Sequence, residues 1–150
     1  MSVLVYTESE QGHFKKTAFE VASYGKAIAD QLGTTVTAIT INADEVSELE
    51  TYGVNKVLKV KNISLDAFNA KIYASVIQQA AEKEGTKVVV VSSSVNSKYL
   101  APLLSINLNA GYATNVLEAP VSSSPFIVKR SAFTNKAFES TQVNTENVLI

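Results

Sequence analysis

The side chains in this 150-residue chain that could do chemistry are few and widely separated. His13 is the only histidine, in a polar stretch behind an apolar opening segment. Open α/β sheets place ligands beyond the carboxyl ends of their strands, so His13 is weighed as a ligand contact against the plainer reading of a solvated loop histidine. Ser92, Ser93, Ser94 and Ser97 stand between a run of valines and an apolar helical pattern, with Lys98 beside them. Hydroxyls and N–H groups at a helix amino end can hold a phosphate. A turn and a cap is the better reading, because no glycine opens the backbone to a phosphate and no P-loop lysine pattern is present. Serine hydrolysis would need an activating base, and no spacing brings His13 to these serines.

The rest of the inventory closes further routes. The chain has no cysteine, which removes thiolate nucleophiles, disulfides, iron–sulfur clusters and cysteine zinc sites. With one histidine, zinc would need an unusual carboxylate-rich shell, so no metal site is expected. Glu45, Glu48, Glu50, Glu82 and Glu84 fall on short amphipathic stretches where solvated faces are the rule. Tyr52, Tyr73, Tyr99 and Tyr112 are spread over different elements, and packing explains them better than a flavin stack. No catalytic residue is assigned, and cofactor-binding residues stay unassigned. With a net charge of −1 the chain lacks the basic field that nucleic acid demands. It also lacks a basic leader and any run of roughly 18–20 apolar residues, so a soluble interior protein is expected.

Residues 3–6 read as a buried strand, followed by a polar connection. Ala18, Val21, Ala22, Gly25, Ile28, Ala29 and Leu32 paint one apolar stripe on a helix, with Thr17 and Glu20 as a capping box and Gly33 as its stop. A strand over 35–41, a short helix over 45–52 stopped by Gly53, and an edge strand over 56–60 follow. A helix over 68–84 closes at Gly85. Val88, Val89, Val90 and Val91 suit a central strand buried on both faces, the best core marker in the chain. Ser97 is the expected N-cap of a helix that carries Leu100, Leu103, Leu104 and Leu108 past Pro102 and ends at Ala110 and Gly111. Residues 114–117 are expected as the fifth strand.

Strands and helices alternating in this way imply a doubly wound, mainly parallel sheet over residues 1–120. After Pro120 the rhythm changes, and residues 126–133, 136–143 and 147–150 read as consecutive antiparallel strands. This extension, 121–150, is expected to be cut short: an apolar end at Val148, Leu149 and Ile150 would leave a strand unpaired, which suggests a fragment of a longer polypeptide.

Several segments then resemble one family in order and wording. Val3-Leu4-Val5-Tyr6-Thr7-Glu8, Tyr52-Gly53-Val54-Asn55-Lys56-Val57-Leu58, and Leu100-Ala101-Pro102-Leu103-Leu104 leading to Asn109-Ala110-Gly111 are similar to electron transfer flavoprotein α subunits. Phe126-Ile127-Val128-Lys129-Arg130, Asn135-Lys136-Ala137-Phe138 and the closing Val148-Leu149-Ile150 resemble the hairpins that end the family's first domain. The resemblance implies an adenine-nucleotide α-hydrolase-like fold and the role of an amino-terminal structural and partner-binding domain in a heterodimer with a β subunit. The parent complex would carry electrons on FAD from acyl-CoA dehydrogenases and similar flavoenzymes, as in fatty-acid oxidation, to a quinone oxidoreductase. It implies a bacterial cytoplasmic carrier component with no turnover of its own. FAD would sit chiefly on the absent carboxyl-terminal domain, so none is expected on this fragment. Asn115, where many relatives carry aspartate, and Lys98, where arginine is common, depart from the pattern. The alternative is a stand-alone nucleotide-binding module of the universal-stress type, although that family's glycine-rich phosphate loop is missing after Val91.

Overall fold

The opening apolar run forms β1 (Ser2–Tyr6), every residue of it buried, in a computed structural model that describes residues 2–150. A small hairpin follows, β2 (Ser9–Glu10) paired with β3 (His13–Phe14). Helix α1 (Lys16–Leu32) buries Ala18, Val21, Ala22, Gly25, Ile28 and Ala29 and ends at Gly33, whose φ of 62° is the left-handed stop that the glycine permits. Its start differs from expectation. Lys15 takes the N-cap position without a side-chain cap, and Thr17 lies inside the first turn, so the proposed capping box does not form.

Strand β4 (Thr35–Ile41) leads to a 3₁₀ helix over Ser47–Tyr52, which is the short helix expected over 45–52, begun two residues later and ended at Gly53. Strand β5 (Lys56–Val60) pairs only with β4 and is the sheet edge that its lysines suggested. Helix α2 (Ala70–Glu84) starts at Asn69, whose side chain accepts from the N–H groups of Lys71 and Ile72. Strand β6 (Val88–Val90) is buried throughout. Helix α3 (Val95–Leu108) is capped by Ser94, not Ser97, and runs through Pro102. Asn109, with φ 48°, turns the chain straight into β7 (Ala110–Tyr112). The strand expected over 114–117 is therefore displaced to 110–112. Asn115 takes a φ of 54°, which breaks a strand there, and only an isolated bridge from Val116 to Arg130 remains.

Strands β8 (Ser122–Ser123), β9 (Phe126–Ala132) and β10 (Ala137–Val143) make an antiparallel sheet in the order β10-β9-β8. The last strand, β11 (Asn147–Leu149), leaves that sheet. The main sheet has six strands in the order β5-β4-β1-β6-β11-β7, and β11 lies parallel between β6 and β7. Its amides and carbonyls are used on both sides: the Val148 N–H donates to Lys87 O at 2.8 Å, the Ile150 N–H to Val89 O at 3.0 Å, and Leu149 O accepts from the Ala113 N–H at 3.0 Å. The expectation of an antiparallel, unpaired final strand is overturned. Val148-Leu149-Ile150 has the same chemistry as the valine run, and both are apolar because both faces are covered.

Side-chain alternation splits the core in two. Val3, Val5, Val36, Val88, Val90 and Val148 face α1 together with Phe126 and Val128 of β9. Leu4, Tyr6, Ile39, Val89 and Leu149 face α2 and α3 through Tyr73, Ala74, Ile77, Leu100 and Leu104. The architecture is thus a doubly wound α/β sheet in which the antiparallel sheet covers the part of the α1 face where a further helix would sit. Among the described residues, no helix is long and apolar enough to cross a membrane.

Candidate functional site

A parallel sheet of this order has a switch point between β1 and β6, from whose carboxyl ends the chain departs in opposite directions. The residue placed there by β1 is Glu8, whose side chain is only 3% exposed. The turn after β6 brings Ser92, Ser94 and Ser97 to the same point. All three hydroxyls donate to Glu8 Oε1, Ser92 at 2.7 Å, Ser97 at 2.9 Å, and Ser94 closer still. The Ser94 hydroxyl also accepts from the Ser97 N–H at 3.1 Å, which fixes the first turn of α3. Glu8 Oε2 is buried without a hydrogen-bond donor, and the Lys15 ammonium stands 3.7 Å from it.

This arrangement answers the question of the serine turn. The turn-and-cap reading holds for Ser94, but the hydroxyls converge on an acidic partner that sequence reasoning passed over. A glutamate two residues beyond a two-faced buried strand, with a serine turn after the central strand, was the available signal. A buried carboxylate at the switch point opposes a nucleotide phosphate by like charge, and a dinucleotide's pyrophosphate does not fit these residues.

Two clefts flank the cluster. One of 810 Å³ lies over the carboxyl ends of β1, β4 and β5, and its walls include Glu8, Lys15, Asp44, Lys61 and Asp66 with Tyr6 and Phe68 below. The β2–β3 hairpin roofs it, held by the Asp44 N–H donating to Gly12 O at 2.9 Å. Asp44 is exposed, and the Lys61 ammonium at 2.9 Å holds its carboxyl below the usual range. The other cleft, of 660 Å³, lies over β6, β11 and β7, against Thr17, Tyr24, Lys98, Asn115 and Ile150. Thr17 Oγ1 and Tyr24 OH are buried in its wall without hydrogen-bond partners, and burial pushes the Tyr24 phenol up to about 12.

The other candidates disperse. His13 is exposed in β3, opposite Glu10, and lines neither cleft. Glu45 accepts from the N–H groups of Val46 and Ser47, which hold its carboxyl low, and Glu84 pairs with Lys56 at 2.7 Å. Glu48, Glu50 and Glu82 are exposed. Tyr52 packs on Phe19 with ring centroids 4.7 Å apart, Tyr73 meets Phe68 edge-on at 5.0 Å, Tyr112 belongs to β7, and Tyr99 is exposed. Among the described residues, no three His, Asp or Glu side chains converge as a metal site would require.

The antiparallel sheet presents a different surface. β10 pairs only with β9 and leaves its outer edge open among the described residues. Phe133, at the β9–β10 turn, is 85% exposed, and Phe138 is 68% exposed beneath the Lys129 ammonium, 5.0 Å from its ring centre.

The family model for the electron transfer flavoprotein domain matches residues 3–150. The chain is 26% identical over 138 residues to the electron transfer flavoprotein subunit alpha of Bacillus subtilis (strain 168), covering 91% of this chain and 42% of that protein. It is 24% identical over 145 residues to the subunit of the same name from Syntrophomonas wolfei subsp. wolfei, 97% of this chain and 45% of that one. Protein FixB of Clostridium saccharobutylicum is 25% identical over 135 residues, 87% and 40% of the two chains. The chain therefore spans about two-fifths of the length of these relatives.

Proposed function

The chain belongs to the electron transfer flavoprotein domain family, and from that premise we propose that it serves as the amino-terminal structural and partner-binding part of an α subunit. Its work is to hold a β subunit, so that the FAD of the parent heterodimer passes electrons from acyl-CoA dehydrogenase-type flavoenzymes to a quinone oxidoreductase. FAD supplies the redox chemistry from outside this chain, in a bacterial cytoplasmic carrier. The chain contributes no catalytic residue; residues 1–120 together with β11 are the scaffold, and the antiparallel sheet of β8, β9 and β10 is the dock. The stand-alone nucleotide-binding module is not favoured, since the family match runs over residues 3–150 and the buried Glu8 carboxylate stands beside the serine turn.

The observation that carries the docking role is the open β10 edge beside Phe133 and Phe138. Exposed aromatic side chains next to an unpaired strand edge suit a permanent protein partner that supplies both backbone and apolar contacts. The test is reconstitution of the full α polypeptide from the same source with its β subunit. The expected result is a flavin-containing heterodimer that is reduced by an acyl-CoA dehydrogenase, with Phe133→Ser plus Phe138→Ser weakening β-subunit binding at least tenfold. A complex that lacks FAD or takes no electrons would sink the carrier reading; an unchanged affinity in the double variant would sink the dock.

A further inference from the structure

We propose that the serine turn at the amino end of α3 is an oxyanion-binding site that the chain fills from within, with the Glu8 carboxylate as its resident anion. The donors are arranged for a larger ion than the one they hold. Each hydroxyl has one proton to give, and Ser92, Ser94 and Ser97 each lie closer to Oε1 than to one another, where their oxygens stand 3.2–3.3 Å apart. A carboxylate oxygen has about two lone-pair directions, so three donors crowd one atom while its twin goes unused. Oε2 is buried and accepts no hydrogen bond, although Glu8 lines the 810 Å³ cleft. A tetrahedral oxyanion would spread the same three donors over separate oxygens and leave one for Lys15, whose ammonium lies 3.7 Å from Oε2.

The surroundings favour negative charge. α3 is 14 residues long with no acidic residue in its first turn, and the cluster sits at its amino end, the positive end of the helix dipole. Ser97 is 1% exposed, so its hydroxyl is a fixed donor in a shielded place. What bars an outside anion is Glu8 itself, by charge and by bulk. The ligand class that follows is a small tetrahedral oxyanion, inorganic phosphate or the terminal group of a phosphomonoester.

The experiment removes the resident. Glu8→Ala and Glu8→Ser are each titrated with inorganic phosphate at constant ionic strength, against wild type and Glu8→Gln, in which the amide still fills the site. Thermal midpoints and the amide resonances of Ser94 and Ser97 are followed. The expected result is a saturable shift of both amides in Glu8→Ala and Glu8→Ser, a midpoint rise of several degrees at saturating phosphate, and at least tenfold weaker response in wild type and Glu8→Gln. Equal responses in all four proteins, or a folded Glu8→Ser chain blind to phosphate, overturn the proposal. Should Glu8→Ala fold only when phosphate is added, that rescue supports it; an alanine variant unfolded at every concentration leaves Glu8→Ser to decide. The outcome is independent of β-subunit binding, so this inference and the carrier reading fail separately.

Discussion

Replacing Leu149 with alanine asks whether the last strand is a pillar of the main sheet or a tail on the hairpins. Leu149 is completely buried, sits opposite Val89 of β6 and Tyr112 of β7, and packs in the cluster beneath α2 and α3. Leu-to-Ala changes at such sites cost about 3 kcal/mol or more, because lost transfer energy adds to a cavity that rigid neighbours cannot close. For a domain of this size each kcal/mol moves the thermal midpoint by about 2–4 °C, which gives a fall of roughly 6–12 °C. The assay is thermal and urea unfolding of Leu149→Ala beside Phe138→Ala, whose side chain is exposed and whose expected cost is within about 0.5 kcal/mol. An unchanged urea slope would show that the loss lies in the folded state. Hydrogen exchange adds an independent reading: the Ile150 amide, bonded to Val89 O at 3.0 Å, should exchange as slowly as the amides of β6. A midpoint loss under about 2 °C with rapid exchange at Ile150 would refute the placement of β11.

Two further outcomes follow from close contacts and burial. A Cβ on Gly25 would lie 2.3 Å from Val5 Cγ1, so Gly25→Ala should wedge α1 off β1. The overpacking cost of about 1–3 kcal/mol should outweigh the helix-propensity gain of about 1 kcal/mol, and adding Val5→Ala should recover part of it in a double-mutant cycle read by urea melts. Burial raises the Tyr24 phenol to about 12 from 10, so the unfolded chain ionises first; stability from this group is complete below pH 10 and is lost as pH rises from 10 to 12. Tyr24→Phe, which removes a buried hydroxyl without a partner, should match or exceed wild type at neutral pH and lose less between pH 10 and 12 in urea melts.

Local chemistry was legible where one residue decides. The helix ends at Gly33 and Gly85, the edge strand over Lys56–Val60 and the pairing of β9 with β10 follow from left-handed glycines, alternation and turn residues. Caps were harder, because serine and threonine qualify at several adjacent positions: Ser94 competes with Ser97, and Thr17 lost to the extended backbone at Lys15. The strand near Tyr112 moved because an asparagine, not a glycine, made the left-handed turn at position 109. The place of β11 was hidden for a different reason. Alternation states which faces are covered but not which neighbours a strand chooses, and two antiparallel strands in a row suggest a third. For the site, every serine was visible, but their common acceptor lies 84 residues or more away in sequence, and only the crossover from β1 to β6 brings Glu8 to them.

The position of β11 also sets an order of assembly. A ribosome delivers β1, β4, β5 and β6 early, and those four can zip together side by side as soon as β6 is out. β7 cannot join them, because its only neighbour in the sheet is β11, made after the whole hairpin sheet. Until then the nascent domain holds a gap one strand wide, rimmed by the free backbone of β6 and β7 and walled by apolar side chains from both layers. The chain's own Val148-Leu149-Ile150 must claim that gap against every other extended apolar segment nearby, and the same segment from a second copy fits it equally well: exchange of β11 between chains is the misassembly this topology invites.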